Sequence, residues 1–260
     1  MKIMKTFLLA LALVFTGGAL HAKIQSQTVD YEQGGVTLEG TLVWDDSVTG
    51  PRPGVLVVHQ WFGLTKYEQH RAEMLAELGY VAFCADIYGK DARPTDVAGA
   101  GAAAGKYKAD RALLRQRVNA GLEQLEKSDL VDKKRVAAIG YCFGGTAVLE
   151  LARSGADIKG VVSFHGGLDS PTPADGKNIK CAVLACHGAD DPFEKPEDLT
   201  AFENEMRDAK VDWRLIKYGG AVHAFTQPDP GFSNPGAKYN EKADKRSWED
   251  MKMFFAEIFN

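Results

Sequence analysis

The 260-residue chain has little that would staple it, anchor it or give it a basic face. It holds four cysteines, Cys84, Cys142, Cys181 and Cys186, too few for a disulfide-built scaffold. Cys181 and Cys186 stand five residues apart in an extended apolar run. At ~3.3 Å per residue their Cα atoms are too far apart to bridge. Cys84 and Cys186 fall in apolar, strand-like segments and read as small buried hydrophobes. No cluster of basic residues is present, and DKKR (Asp132–Arg135) reads as a solvated turn. The formal net charge is −4, which becomes −6 if residues 1–22 and their Lys2 and Lys5 are removed. That balance argues against nucleic acid or an anionic membrane as partner. There is no H-E-x-x-H pair of metal ligands and no glycine-rich loop with the lysine that phosphate binding needs.

Long apolar runs are also missing, with one short exception. Phe7–Phe15 follows the basic MKIMK and precedes the small-residue stretch TGGALHA. Nine apolar residues fall far short of the ~20 that span a bilayer. Basic, apolar and small residues in that order mark a secretory signal peptide, with the cut expected after Ala22. No cysteine follows the run, so no lipid-anchored product is expected. Residues 1–22 are therefore expected to be the signal and residues 23–260 one domain. That domain is expected in the periplasm or outside the cell, with no membrane attachment after cleavage.

After an opening hairpin, strand-like and helical patterns alternate. GVLVVH (54–59), YVAFCADIY (80–88), RVAAIG (135–140), GVVSFHG (160–166), CAVLACHG (181–188) and VDWRLIKY (211–218) read as strands, several with continuous β-branched content. Between them lie amphipathic helices, one with Leu114, Val118, Leu122 and Leu125 on a single stripe. The C-terminal helix carries Trp248, Met251, Phe255 and Ile258 on one face. Strands alternating with helices predict an α/β domain with a mostly parallel sheet covered on both faces. Two segments, 89–105 and 227–240, read as irregular loops bordering a pocket.

The unusual thiol is Cys142, in IGYCFGGT (139–146) between a strand and a helix. Strand, G-x-C-x-G-G, helix is a nucleophile elbow with cysteine in place of serine. Gly140 and Gly144 lack a Cβ, so that backbones can pass closely at a strained turn. The helix N-terminus favours a thiolate and a developing oxyanion. Hydrolases of this kind run nucleophile, acid, base along the chain, each at the end of a strand. HGADDP offers Asp190 and Asp191, of which Asp191 is preferred for its place before Pro192. GGAVHAF offers His223 after the last strand. His59, His165 and His187 also end strands and read as structural groups near the site, and His70 lies on a charged helix. No paired spacing supports a three-histidine metal site, and neither metal nor cofactor is expected.

The combination of HQWFGLT (59–65), GYVAFCADIYG (79–89), GYCFGG (140–145), HGADDP (187–192) and GGAVHAF (219–225) resembles the dienelactone hydrolase family of the α/β-hydrolase fold. The resemblance implies a Cys142–His223–Asp191 triad and an oxyanion hole made by the backbone N–H groups of Trp61 and Phe143. It further implies that His223 handles the thiol proton and later activates water, while Asp191 fixes its tautomer. Two positions depart from the family pattern: Gln60 stands where well-known members have a glutamate, and Gln227 where they have an arginine. Lys90, Arg93 or Lys106 are candidates to supply the missing positive charge. Gln60, Phe62, Tyr88, Tyr141 and Gln227 are expected to line the pocket with Trp61 and Phe143. The implied activity is hydrolysis of small carboxylic esters or lactones through a thioester, like a carboxymethylenebutenolidase. The alternative is a small-molecule binding protein of little activity on the same fold, suggested by Gln60 and Gln227.

Overall fold

The computed structural model describes residues 23–260, and the expected signal segment lies outside the described residues. Strands β1 (Ile24–Gln33) and β2 (Val36–Asp45) form a hairpin around Gly34 and Gly35. Both glycines have positive φ, as a two-residue hairpin turn requires. The chain continues through β3 (Arg52–Val58), α1 (Lys66–Glu77), β4 (Val81–Ala85), α2 (Val97–Ala109) and α3 (Arg111–Lys127). Next come β5 (Val131–Tyr141), α4 (Phe143–Arg153) and β6 (Gly160–Phe164). Last are β7 (Ala182–Gly188), α5 (Pro196–Asp208), β8 (Trp213–Tyr218) and α6 (Glu241–Ile258).

One eight-stranded sheet results, in the order β1-β2-β4-β3-β5-β6-β7-β8. The pairs β1–β2 and β2–β4 are antiparallel, and every pair from β4 to β8 is parallel. Parallel strands must be covered on both faces, and β4 and β6 are buried at every position. Helices α1 and α6 close one face, where Leu75, Met251 and Phe255 join Val55, Val57 and Ile139. Helices α3, α4 and α5 contribute to the opposite core, with the Leu114, Val118, Leu122 and Leu125 stripe turned inward. All residues of α4 are buried. At its C-terminal end the fully buried Arg153 donates to Glu205 at 2.7 and 2.8 Å and to Glu150 at 3.1 Å, and so ties α4 to α5.

The segment 89–105, expected to be irregular, is helical from Val97 onward as part of α2. Asp96 caps it by accepting from the Gly99 N–H at 2.7 Å. The alanines that looked like a small-residue loop are strong helix formers, and Ala100 and Ala104 are buried. By contrast, 227–240 stays a loop, held to the fold by bonds on both sides of His223. The His223 N–H donates to Gly236 O at 3.0 Å, and the Lys238 N–H donates to His223 O at 2.9 Å.

The tightest passage is where β5 enters α4. A Cβ on Gly140 would stand 2.0 Å from Gly144 O, and one on Gly144 would stand 2.2 Å from Val58 O. Between them Cys142 takes φ 53° and ψ −114°, a conformation that L side chains rarely adopt. Gly144→Ala is expected to cost about 2–3 kcal/mol and lower the unfolding midpoint by roughly 5–10 °C, or to leave no soluble protein. A Cβ on Gly105 in α2 meets nothing within 4 Å, so Gly105→Ala is expected to hold or raise the midpoint. Thermal melts of the two variants check the contrast.

Candidate active site

The parallel strands deliver their C-terminal ends to one edge of the sheet, the side on which open α/β sheets gather ligands. His59, Gln60 and Trp61 follow β3, Cys142 follows β5, His165 follows β6, Asp191 follows β7 and His223 follows β8. The fold thus brings Cys142, Asp191 and His223 together. Cys142 Sγ lies 3.0 Å from His223 Nε2, and His223 Nδ1 lies 2.8 Å from Asp191 Oδ2. The other Asp191 oxygen accepts the Phe193 N–H at 2.9 Å. The Asp191 carboxylate is wholly buried and the His223 ring nearly so, whereas Cys142 keeps some exposure. Asp190, its neighbour, is exposed and accepts the Gly220 N–H at 3.0 Å, a turn-fixing role.

Charge separation within the group follows from this packing. Burial pushes the Cys142 thiol up, but the adjacent His223 charge and hydrogen bond outweigh it, with help from Lys108 and the Phe143 N–H. The thiol ends below its ordinary value. Burial likewise pushes His223 down, but the Cys142 sulfur and the Asp191 carboxylate raise it to about 10. A thiolate facing an imidazolium is the arrangement these shifts describe. The other three thiols are buried and pushed well up by desolvation.

The remaining strand-end histidines stay neutral. His165 is fully buried, and burial, followed by the nearby His223 charge, holds it well below its usual value. Its Nδ1 accepts the Cys142 N–H at 3.1 Å, a bond shared with Phe164 O at 3.0 Å. Its Nε2 therefore carries the proton, which it donates to Thr226 Oγ1 at 2.7 Å. Thr226 leads on to Tyr67 and to Arg71, which pairs with Asp244 of α6. His59, pushed down by burial, accepts the Ile87 N–H at 3.1 Å and donates to Gln60 O. His187 is buried beside a neighbouring cavity, and its Nδ1 has no partner. His70 is exposed on α1. Among the described residues no group of three or more His, Cys, Asp or Glu converges as a metal site would.

The loop that carries Trp61 is fixed by a buried carboxylate. Glu68 of α1 accepts the Gln60 N–H at 3.2 Å, the Thr65 N–H at 2.9 Å and the Thr65 hydroxyl at 2.7 Å. The bond from the Thr65 N–H is one half of the α1 capping box, whose other half is the Glu68 N–H donating to the Thr65 hydroxyl. From the other side the Tyr88 hydroxyl donates to Trp61 O at 3.1 Å.

A cavity of about 300 Å³ opens over Cys142 and His223, and Gln60, Trp61 and Gln227 line it. Of the other aromatics expected there, none presents its ring to this cavity. Tyr141 is fully buried on the α1/α6 face, stacked on Phe164 at 4.8 Å and beneath Arg71. It shares that face with Ile139, two residues before it on the strand. Tyr88 packs behind the wall against Phe143 and Tyr107. The Phe143 ring is buried over His59, leaving its N–H at the sulfur. Phe62 lies in an adjoining groove.

Sequence reasoning missed Phe193, Phe232, Lys108 and Glu194, all of which line the cavity. Phe232 meets Trp61 edge-on at 5.1 Å. The expected cations are elsewhere: Lys90 pairs with Asp30 and Glu39, Arg93 with Glu39 and Asp86, and Lys106 lies over the Tyr107 ring. Two residues on, Lys108 projects from the other side of α2, a placement that follows once 97–109 is a helix. Glu194 accepts the Leu168 N–H at 3.2 Å and is raised to about 7, chiefly by burial.

Comparison with known proteins agrees with this architecture. The family model described as "Dienelactone hydrolase family" matches residues 38–259. A dienelactone hydrolase-like promiscuous phosphotriesterase from metagenomic libraries is 42% identical, with a TM-score of 0.87 over 92% of this chain and 100% of its own. A Bradyrhizobium protein named "Probable 2-oxo-3-(5-oxofuran-2-ylidene)propanoate lactonase" is 31% identical over 68% of this chain and 75% of its own length. A dienelactone hydrolase from Anabaena variabilis, 20% identical with a TM-score of 0.69 over 91% of this chain and 99% of its own, shares the fold. With an α/β fold of one domain and a mostly parallel sheet, the chain belongs to the dienelactone hydrolase family of hydrolases.

Proposed function

We propose that the protein hydrolyses small carboxylic esters or lactones through a thioester on Cys142. The observation that carries this reading is the unbroken line from Cys142 Sγ through His223 to the buried Asp191, opening on a cavity. The sulfur attacks the carbonyl carbon, and the C=O π electrons move to oxygen. The backbone N–H groups of Phe143 and Trp61 receive that negative charge. Collapse breaks the C–O bond, and the His223 imidazolium gives its proton to the leaving oxygen. For a lactone that oxygen stays tethered to the acyl group. The now neutral His223 takes a proton from water as the hydroxyl adds to the thioester. Expulsion of the sulfur releases the acid and restores the ion pair. Gln60 is neutral and takes no proton, so activation rests on His223. The basic, apolar and small-residue order of residues 1–22 supports export to the periplasm or beyond.

Short-chain p-nitrophenyl esters and a lactone panel test the reading. Cys142→Ala is expected to lower kcat/KM by at least about 1,000-fold with its fold intact. Undiminished turnover would remove the sulfur from the mechanism. A bound small molecule without turnover, seen by native mass spectrometry, would favour the binding-protein alternative.

The pH dependence has a defined sign. The lowered Cys142 thiol and the raised His223 place the ion pair between the two titrations. Activity is lost on the acid side as the thiolate takes a proton, and above about pH 10 as the imidazolium gives one up. Iodoacetamide is therefore expected to alkylate Cys142 rapidly even at about pH 6.5, and His223→Ala to move that titration to about 8.5 or higher. An unmoved titration in the variant would contradict the pairing. Mass analysis of exported protein is expected to find Lys23 as the first residue.

A further inference from the structure

The Cys142 cavity is not a closed chamber. Two of its lining residues, Gln60 and Gln227, also line a larger groove of about 960 Å³. These are the same two positions at which the chain departs from the family's glutamate and arginine. They are far apart in sequence, yet the fold brings both to the junction between the cavities. Both are uncharged amides. Gln60 Nε2 lies 3.5 Å from Glu68 Oε1, and the bond Gln227 makes is through its backbone N–H, to Ala224 O.

Past the junction the groove wall is largely apolar, with Phe62, Leu64, Met74 and Pro230. Lys66 and His70 of α1 also line it and are exposed to solvent, and its other three cations already have carboxylate partners: Arg71 pairs with Asp244, Arg93 with Glu39 and Lys245 with Glu241. A charged substrate arm crossing the junction would lose water and meet no free counter-charge from these three paired groups. An apolar arm would gain by burial.

We propose that the two cavities form one bent site for neutral esters with an elongated apolar arm, which passes between Gln60 and Gln227 into the groove. The inference rests on the reaction proposed at Cys142 and adds the class of substrate. The acyl-binding space near the sulfur, at about 300 Å³, and the groove, at about 960 Å³, each lie within the size range of small-molecule sites.

A series of p-nitrophenyl esters from acetate to octanoate, with Cys142→Ala as blank, tests it. Cys142-dependent kcat/KM is expected to rise at least about tenfold along the series. An ester of equal length ending in a carboxylate is expected to be at least about tenfold poorer than octanoate. Met74→Trp fills the groove from α1 and is expected to cut the octanoate-to-acetate ratio by about tenfold. Pro230→Trp does the same from the opposite loop if the first variant fails to fold. A wild-type rate that falls steadily with chain length overturns the proposal, as does a ratio that ignores both tryptophans, and Cys142-dependent acetate turnover would leave the reaction standing. Equal rates for the carboxylate-ended ester overturn the preference for neutral arms. No Cys142-dependent turnover of any ester removes both proposals.

Discussion

The Val58 carbonyl lies where a Cβ on Gly144 would have to go, 2.2 Å from it. This close approach of α4 to β3 fixes where the β5–α4 turn and its cysteine sit. It places the first turn of α4 beside the β3 end, so Cys142 and Trp61 line one cavity. At this turn Cys142 takes a positive φ, and its side chain keeps some exposure instead of joining a core. The strain is held by the surroundings: α4 is buried along its length, Arg153 pins its far end, and the Cys142 N–H is bonded to Phe164 and His165.

On that frame the electrostatics are a selection among similar groups. Four histidines reach the same edge of the sheet, yet one alone has a wholly buried carboxylate on one ring nitrogen and a sulfur on the other. His59 and His165 lack a carboxylate partner, and burial keeps them neutral. They serve as hydrogen-bonding struts to the β3 end loop and to the Cys142 backbone. The three other thiols show the same contrast, because burial without an adjacent cation leaves them protonated. The Cys142–His223 pair is therefore set apart by its contacts rather than by residue type.

Much of this was legible in the sequence because it follows chain order. The parallel sheet follows from alternating strands and helices, and the succession Cys142, Asp191, His223 from what each strand end can carry. What stayed hidden depends on side-chain direction or on distant segments meeting. Tyr141 was expected in the pocket because it adjoins Cys142. Strand alternation assigns it to the face of Ile139, and the elbow separates the two neighbours. Segment 89–105 looked like a loop because its small residues show no apolar stripe, although alanine needs none to form a helix. Missing that helix meant that Lys108, on the opposite side of α2 from Lys106, was overlooked. Phe193, Glu194 and Phe232 lie on loops whose paths no periodicity predicts. The meeting of Gln60 with Gln227 is likewise a property of the fold.

The central claim is that the Cys142 sulfur carries the acyl group during turnover. Rapid quenching of wild-type protein with an activated ester, followed by intact-mass analysis and peptide mapping, reads this directly. The account predicts one added acyl mass on the peptide containing Cys142, released by hydroxylamine as a thioester is. Steady turnover with no adduct on that peptide, or with the acyl group on another residue, would contradict it.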